Sequence, residues 1–266
     1  MRAKSASLIT IYLVYTRANI RRILEYRSSF FIGFAAILSR HVIGILTLWV
    51  IFSTVQALGG WNAYQVVYLY AYVNLIAALW HFFFANTIRM EFLVQSGDLD
   101  WYLVRPLPPL FQLMLYYFDD DALGDIVPAV LLLVISSVRL GIAYTFGVVI
   151  VFAAGLLGGV MIHFGIHLIL SSWSFWFIKS RAIIGLFTEI KRFSEYPLRI
   201  FSFPIQLILS ILVPIAFAGY YPAERILTMP TLSVAAFLSL PVGMIVLAAG
   251  LAVWHYGLTK YQSTGS

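Results

Sequence analysis

Long apolar runs alternate with short polar segments along almost the whole chain. A helix needs about 20 mostly apolar residues to cross the ~30 Å hydrocarbon core of a bilayer. Continuous runs favour helices over the alternating strands of about 10 residues that build a membrane barrel. Six runs are read as spans, at residues 28–55, 65–88, 122–138, 146–178, 198–219 and 232–257. The pattern predicts an all-α membrane protein with six transmembrane helices.

The composition agrees with this fold class. Hydrophobic residues make up 62% of the chain and charged residues 11%, against about 25% charged residues in a typical soluble domain. The mean hydropathy is +0.92. We expect one transmembrane domain over residues 1–266, with a cytoplasmic or in-plane segment (1–27), a six-span bundle (28–257) and a cytoplasmic tail (258–266). The absence of cysteine excludes disulfides, thiolate metal sites and cysteine catalysis.

The positions of the basic residues predict the orientation. With the N-terminus inside, the outer loops hold only Arg139 and Arg225, while Arg40 lies within the first span. The positive-inside rule then places both termini in the cytoplasm. The net charge of +6 is explained by this asymmetry, and nucleic acid is not an expected partner. The remaining basic residues are assigned to the inner side: Arg2, Lys4, Arg17, Arg21, Arg22, Arg27, Arg89, Arg105, Lys179, Arg181, Lys191, Arg192, Arg199 and Lys260.

The first 27 residues resemble a signal peptide only superficially, because no small-x-small cleavage site follows the short apolar run. Apolar side chains on one helical face oppose polar ones on the other, which is typical of a helix lying in the inner leaflet. Its arginines would face anionic lipid headgroups. They are Arg17, Arg21, Arg22 and Arg27, and the polar face also includes Asn19. The alternative is a longer first span.

The stretch "SGDLDWYLVRPLPPLFQLM" (96–114) interrupts the apolar runs with carboxylates, an arginine and three prolines. Gly97 ends the preceding helix, Ser96 or Asp98 can cap a new one, and Pro106 ends it. A helix of about two turns is too short to be stable alone. It is either a docking element for a cytoplasmic partner, rich in residue types that anchor interfaces, or a loop packed on its own bundle.

Three motifs carry a resemblance to a known family: "EYRSSFF" before the first span, "GDLDWYLVRPLPPLFQLM", and "SEYPLRIFSFPIQLILSILVPIAFAGYYPAERIL". In this order they resemble the permease subunit of type-2 ABC exporters, in the branch of short six-span permeases with a separately encoded ATPase. The resemblance implies a connecting helix near residues 8–26 and a coupling helix that contacts the ATPase. The coupling residues would be Asp98, Leu99, Asp100, Trp101, Tyr102, Leu103 and Arg105.

The resemblance also implies the assembly. Two copies of a P-loop ATPase would bind ATP and Mg²⁺, a second permease, identical or related, would complete the pathway, and the site of action would be the bacterial inner (plasma) membrane. The chain itself has no G-x-x-x-x-G-K-[ST] phosphate loop, so we expect no ATPase activity, cofactor or catalytic residue in it. A hydrophobic or lipid-like substrate is expected, and membrane lipid is expected as a further partner of the chain.

Polar residues within the spans offer other chemistry. His163 and His167 lie one turn apart, as in a metal site or a lipid-modifying enzyme, but no Asp or Glu is expected inside a span as a third ligand, and we favour interhelical packing. Arg40 and His41 either face the transport pathway or belong to a later-starting span from which Arg40 reaches the interface. A scaffold without transport is the remaining alternative.

Two further clusters have two interpretations each. In "FDDDALGD", Asp121 and Asp125 share one helical face; they either bind a metal or, as we favour, are solvated or pair with the basic segment 179–193. In the predicted outer loop, Tyr220, Tyr221 and Pro222 either form an extracellular gate or a plain interfacial turn. No metal site is predicted.

Overall fold

The computed structural model describes residues 8–25, 27–116, 118–177, 180–228 and 237–263, and this part of the chain is helical without a β-strand. The α-helices are α1 (Leu8–Glu25), α2 (Arg27–Thr54), α3 (Ala63–Phe84), α4 (Met90–Ser96), α5 (Leu99–Leu103), α6 (Pro109–Leu115), α7 (Asp121–Leu140), α8 (Phe146–Ser172), α9 (Arg181–Lys191), α10 (Phe203–Leu207), α11 (Ile215–Ala218), α12 (Tyr220–Leu227) and α13 (Ser239–Lys260). Short 3₁₀ turns cover Ala85–Arg89, Trp173–Phe175, Arg192–Glu195 and Leu198–Ile200, and a π-helical turn covers Ile208–Leu212.

Five described segments are long and apolar enough to cross a membrane. They are Phe31–Thr54, Ala63–Ser96, Asp121–Leu140, Phe146–Phe175 and Ser239–Lys260. These confirm the predicted first, second, third, fourth and sixth spans, although residues 229–236, where the sixth was expected to begin, lie outside the described part. Helix α3 is central, because Tyr68, Tyr72 and Ile76 along it are fully buried against its neighbours.

Glycines bring α8 and α13 into close contact. A Cβ atom built on Gly243 would lie 2.6 Å from the carbonyl oxygen of Gly158, and one on Gly250 would lie 2.7 Å from that of Gly165. Side chains at these positions would push the helices apart, so the absence of Cβ is what permits the contact. Gly158 belongs to the glycine-rich stretch "GLLGG" (155–159), whose small residues permit this close helix packing.

The predicted fifth span, 198–219, is not a single helix. Helix α10 starts with Pro204 in its first turn, a π-helical turn follows, and Pro214 precedes the four-residue helix α11. Proline lacks the N–H that a continuing helix needs at that position. The apolar run is therefore divided into short helical pieces.

The fifth crossing begins earlier in the chain. The Ser180 hydroxyl donates to the Glu91 carboxylate over 3.2 Å, near the end of the second span. At the other end, the Arg199 guanidinium donates to Glu224 over 3.2 Å, and Ile200 lies beside Gly59, in the turn between α2 and α3. Residues 180–200 thus run from one end of the second span to the other. Arg199 was assigned to the inner side, which is wrong, because it lies with the predicted outer turn.

The following segment enters the bundle and returns. Gly219 approaches Val73, ten residues into α3, and the carbonyl of Ala218 lies beside Gly159 in the middle of α8. Five residues after Gly219, Glu224 is again beside Arg199. Residues 201–224 therefore form a re-entrant hairpin that begins and ends at the same side of the bundle.

Candidate functional site

Helix α5 forms where the sequence predicts it. Gly97 ends α4 with a φ of 76°, a left-handed conformation that glycine adopts at little cost. Asp98 is the N-cap residue of α5, but its side chain does not cap the helix; it accepts a hydrogen bond of 2.8 Å from the Ser96 hydroxyl. The helix ends at Leu103, three residues before Pro106.

One side of α5 is fixed to the bundle. Leu99 is fully buried in a cluster with Met90, Leu93 and Phe164, and the Gln112 side-chain amide donates to the carbonyl oxygen of Tyr102 over 2.8 Å. The assignment of Leu99 to the ATPase contact is therefore wrong, because its side chain contacts its own chain. The buried leucine and the amide stabilise a helix that is too short to persist alone.

The flanking coupling residues are also partly engaged. Tyr102 is half-buried, and burial, followed by the nearby Tyr116 hydroxyl, raises the pKa of its phenol. The Asp100 carboxylate accepts a hydrogen bond of 2.5 Å from Ser263 in the C-terminal segment. Helix α5 is thus also connected to the chain that follows the last span.

The opposite side of α5 is free within the described part of the chain. Trp101 is 68% exposed and Val104 is 77% exposed, and Leu103 and Arg105 are exposed beside them. Trp101 and Leu103 belong to α5, and Val104 and Arg105 directly follow it; we call these four residues the α5 surface. A short helix that presents a tryptophan, two aliphatic side chains and an arginine has the composition of a protein interface. Both sequence interpretations hold in part, since one side packs internally and the other remains available.

The N-terminal helix α1 contacts the segment after α6. The Asn19 amide donates to the Leu115 carbonyl oxygen over 3.3 Å and accepts from the Phe118 N–H over 3.0 Å. The Arg22 guanidinium donates to the Phe118 carbonyl oxygen over 2.7 Å and to Asp120 over 3.3 Å. Asn19 and Arg22 therefore join α1 to the chain before α7, and contact of Arg22 with lipid headgroups stays a prediction.

Two other arginines on the polar face of α1 do not pack on the bundle. Arg17 and Arg21 are exposed, so their contact with lipid headgroups stays a prediction. The side chain of Arg27 lies outside the described part of the structure.

Arg40 and His41 share one carboxylate inside the membrane-spanning region. The Arg40 guanidinium contacts the Asp125 carboxylate, and His41 Nε2 lies 2.8 Å from the same oxygen. Because a carboxylate only accepts, Nε2 donates, and in the neutral ring Nδ1 then accepts from the Tyr70 hydroxyl at 3.0 Å.

Asp125 lies in the third span, so the expectation of no acid inside a span is wrong. An arginine paired this way is held within its span, which favours the first interpretation of Arg40.

The neighbouring carboxylates also have partners other than the predicted basic segment 179–193. Asp120 pairs with Arg22 at 3.3 Å, and Asp119 lies 3.2 Å from His81 Nδ1. Three acids from one short stretch thus connect the start of α7 to α1, α2 and α3.

Arg40, Tyr70, His81 and Asp125 line a cavity of about 560 Å³. Helices α2, α3, α7 and α9 and the 3₁₀ turn after α9 form its walls, and its charged lining consists of Arg40, Asp121, Asp125, Lys191, Arg192 and Glu195. We call it the polar cavity. Sequence reasoning missed Lys191 and Glu195 because they were assigned to a cytoplasmic loop. The signal in the sequence was their spacing, which places an ammonium and a carboxylate one helical turn apart on the same face.

His163 and His167 pack against aromatic rings. The imidazole of His167 stacks on Trp80 with ring centroids 3.7 Å apart, and its Nδ1 lies 2.8 Å from the His163 carbonyl oxygen. Both side chains are buried. Within the described ranges, no group of three His, Asp or Glu side chains is close enough to hold a metal. The contacts support the packing interpretation.

Tyr220, Tyr221 and Pro222 are integrated in the re-entrant hairpin. Tyr220 stacks on Trp61 with ring centroids 5.4 Å apart, and its hydroxyl donates to Glu224 over 2.8 Å. The Tyr221 hydroxyl lies 3.0 Å from Ser210 Oγ, and Pro222 is buried. Tyr220 and Pro222 contact the bundle at Trp61 and Gly155, and Tyr221 connects two parts of the hairpin, while a gating role stays a prediction.

The comparison with protein families agrees with this architecture. The family model described as "ABC-2 family transporter protein" matches residues 38–265. No curated protein matches the chain. The match includes α5, the polar cavity and every described helix that could cross a membrane except the beginning of the first. The chain therefore belongs to the ABC-2 family of transporter proteins and is a multi-pass membrane component of an ABC transporter.

Proposed function

We propose that this chain is a permease subunit that exports a hydrophobic or lipid-like substrate, driven by a separate P-loop ATPase that docks on the α5 surface. The observation that carries the proposal is the α5 surface itself, in a chain that belongs to an ABC transporter family. Trp101 is exposed while the same short helix is anchored through Leu99. A rigid helix with one free apolar side can transmit a push from a partner to the bundle.

The contacts of α5 suggest how such a push would travel. Leu99 packs in the same cluster as Trp80 of α3, Leu168 of α8 and Trp254 of α13. Close-packed side chains transmit displacement because they have little free volume to absorb it. Movement of α5 by ATPase closure would thus act directly on three spans.

The complete transporter in this proposal contains two ATPase copies, which hold ATP and Mg²⁺, and a second permease, identical or related. The site of action is the bacterial inner membrane. The apolar surface of α2 supports a partner or lipid on that side, because Ile43, Trp49 and Val50 are more than half exposed. Asp98, Asp100 and Tyr102 would border the ATPase contact, and Tyr220, Tyr221 and Pro222 would close the exit of the pathway.

Affinity purification of the tagged full chain from its native membrane tests the proposal. We expect a P-loop ATPase to copurify and the complex to hydrolyse ATP. A folded, intact chain that brings down no ATPase would contradict the proposal.

The proposed orientation, with both termini cytoplasmic, gives a separate prediction. The chain has no cysteine, so Arg181→Cys and Arg199→Cys each introduce a single thiol at opposite ends of the fifth crossing. An impermeant maleimide added to intact cells should label position 199, while position 181 should react only after the membrane is opened. The reverse pattern would show that the orientation is inverted.

A further inference from the structure

The polar cavity contains two charged side chains of opposite sign that are not joined by a close ion pair. Lys191 and Glu195 lie one turn apart in its wall. Within the described ranges, neither side chain forms an ion pair; the Glu195 carboxylate accepts a hydrogen bond from the Asn74 side chain, while the Lys191 ammonium has no hydrogen-bond partner. Charges placed at the depth of the bilayer normally pair or face water. These two instead face a common space.

The other charges of the cavity are largely matched. The Arg40 guanidinium contacts Asp125, and Arg192 pairs with Glu189 at 3.4 Å. Asp121 is exposed at the start of α7. The two interior charges without an ion pair are therefore one ammonium and one carboxylate, which suits a ligand that carries one group of each sign.

The rest of the lining suits the polar end of an amphiphile. Tyr70, Asn74 and Thr188 supply hydrogen-bonding groups, while Ile37 and Ile43 of α2 are apolar. The volume of about 560 Å³ lies in the usual range of small-molecule sites. Arg40 is 61% exposed and Ile43 is 64% exposed, so the cavity continues to the surface of α2 that would face lipid. Acyl chains can remain there while a headgroup enters.

We propose that the polar cavity binds the headgroup of a zwitterionic phospholipid, with its phosphate on Lys191 and its ammonium on Glu195. Lipid chains would lie along α2. The side chains of this chain alone form the proposed lipid site, so lipid binding requires neither the second permease nor the ATPase. That the bound lipid is also the transported substrate rests on the proposed function.

Native mass spectrometry of the full chain in detergent tests the binding. The probes are phosphatidylethanolamine, which carries phosphate and ammonium, and phosphatidylglycerol, which has the phosphate alone. We expect about tenfold stronger retention of phosphatidylethanolamine, the size of effect that one charge-assisted hydrogen bond gives. Equal retention of the two lipids would overturn the proposal.

Variants assign the preference to the two side chains. Glu195→Gln should reduce the ratio to about one by weakening only phosphatidylethanolamine, and Lys191→Met should weaken both lipids. Lys191→Arg keeps the charge and should restore retention, which separates loss of binding from loss of folding. The control is Glu25→Gln, an exposed carboxylate at the end of α1 that is outside the cavity lining. An unchanged ratio in Glu195→Gln would overturn the assignment.

A further experiment tests whether the bound zwitterion is a lipid or a soluble molecule. Glycerophosphoethanolamine has the same charges without acyl chains, and we expect it to bind at least about tenfold more weakly because it buries no apolar surface. Equal affinity would assign the cavity to a soluble zwitterion and overturn the lipid proposal. Because these readouts need no ATPase, failure of lipid binding and failure of the permease function are observed separately.

Discussion

Replacing Trp101 and Arg105 together by alanine is expected to abolish copurification of the ATPase while leaving the fold intact. Trp101 is 68% exposed and Arg105 is exposed, so truncating them removes little of the packing within the chain itself. Tryptophan and arginine at the centre of an interface typically cost 2 kcal/mol or more each when truncated. A combined loss of about 4 kcal/mol corresponds to a roughly thousandfold weaker complex. The measurements are ATPase recovery and ATP hydrolysis per permease.

The matched control is Trp49→Ala. Trp49 is 69% exposed, nearly the same as Trp101, but it lies in the second half of α2, toward the turn that joins α2 to α3. The control variant should retain the ATPase. If Trp49→Ala weakens the complex as much as the double variant does, or if the double variant retains full activity, the α5 surface is not the docking site.

Asp125→Ala is expected to destabilise the chain by about 3 kcal/mol, the lower end of the cost of breaking a buried ion pair. The Asp125 side chain is 19% exposed and contacts both Arg40 and the buried His41. Its loss leaves a guanidinium without a counter-charge inside a span and an imidazole N–H without an acceptor. The lower end applies because Arg40 is itself 61% exposed to the cavity and the α2 surface. Thermal unfolding in detergent measures the change.

A second substitution distinguishes the lost ion pair from lost packing. Arg40→Met combined with Asp125→Ala removes both charges and should recover much of the stability, because no unpaired charge remains. The result that contradicts this interpretation is a double variant that is less stable than Asp125→Ala alone.

Much of the helical layout follows from local physics and could be predicted. Runs of about 20 apolar residues identified five spans because the cost of exposing backbone polar groups to lipid leaves the helix as the available solution. Helix α5 could be placed because Gly97 and Pro106 act on the backbone within a few residues. Which side of α5 is exposed could not be predicted, because Leu99 is buried by residues of α4 and α8, whose positions depend on tertiary packing.

The fifth crossing could not be predicted, because mean hydropathy reports neither the path of the backbone nor the surroundings of charged side chains. Residues 203–218 are apolar enough to span, yet Pro214 turns them into half of a hairpin. The segment that does cross, 180–200, carries Lys191 and Glu195, which lower its mean hydropathy although both face the polar cavity. A charged helix that lines a cavity and a solvated cytoplasmic helix look alike in sequence.

The partners of the buried charges were also beyond sequence reasoning. Asp125 is separated from Arg40 by 85 residues, and its pairing depends on how α2 packs against α7. The basic segment 179–193 was the nearest candidate by charge alone. Tertiary packing, rather than local sequence, selected Arg40 and His41.

Cross-linking from a single thiol is the measurement that tests most directly whether the ATPase docks on α5. Val104→Cys places the only thiol of the chain at a side chain that is 77% exposed beside Trp101, and Trp49→Cys provides the control. With a short thiol-to-photoreactive reagent in native membranes, position 104 is predicted to form an adduct with a P-loop ATPase and position 49 is not. An ATPase adduct from position 49 but none from position 104 would contradict the docking assignment.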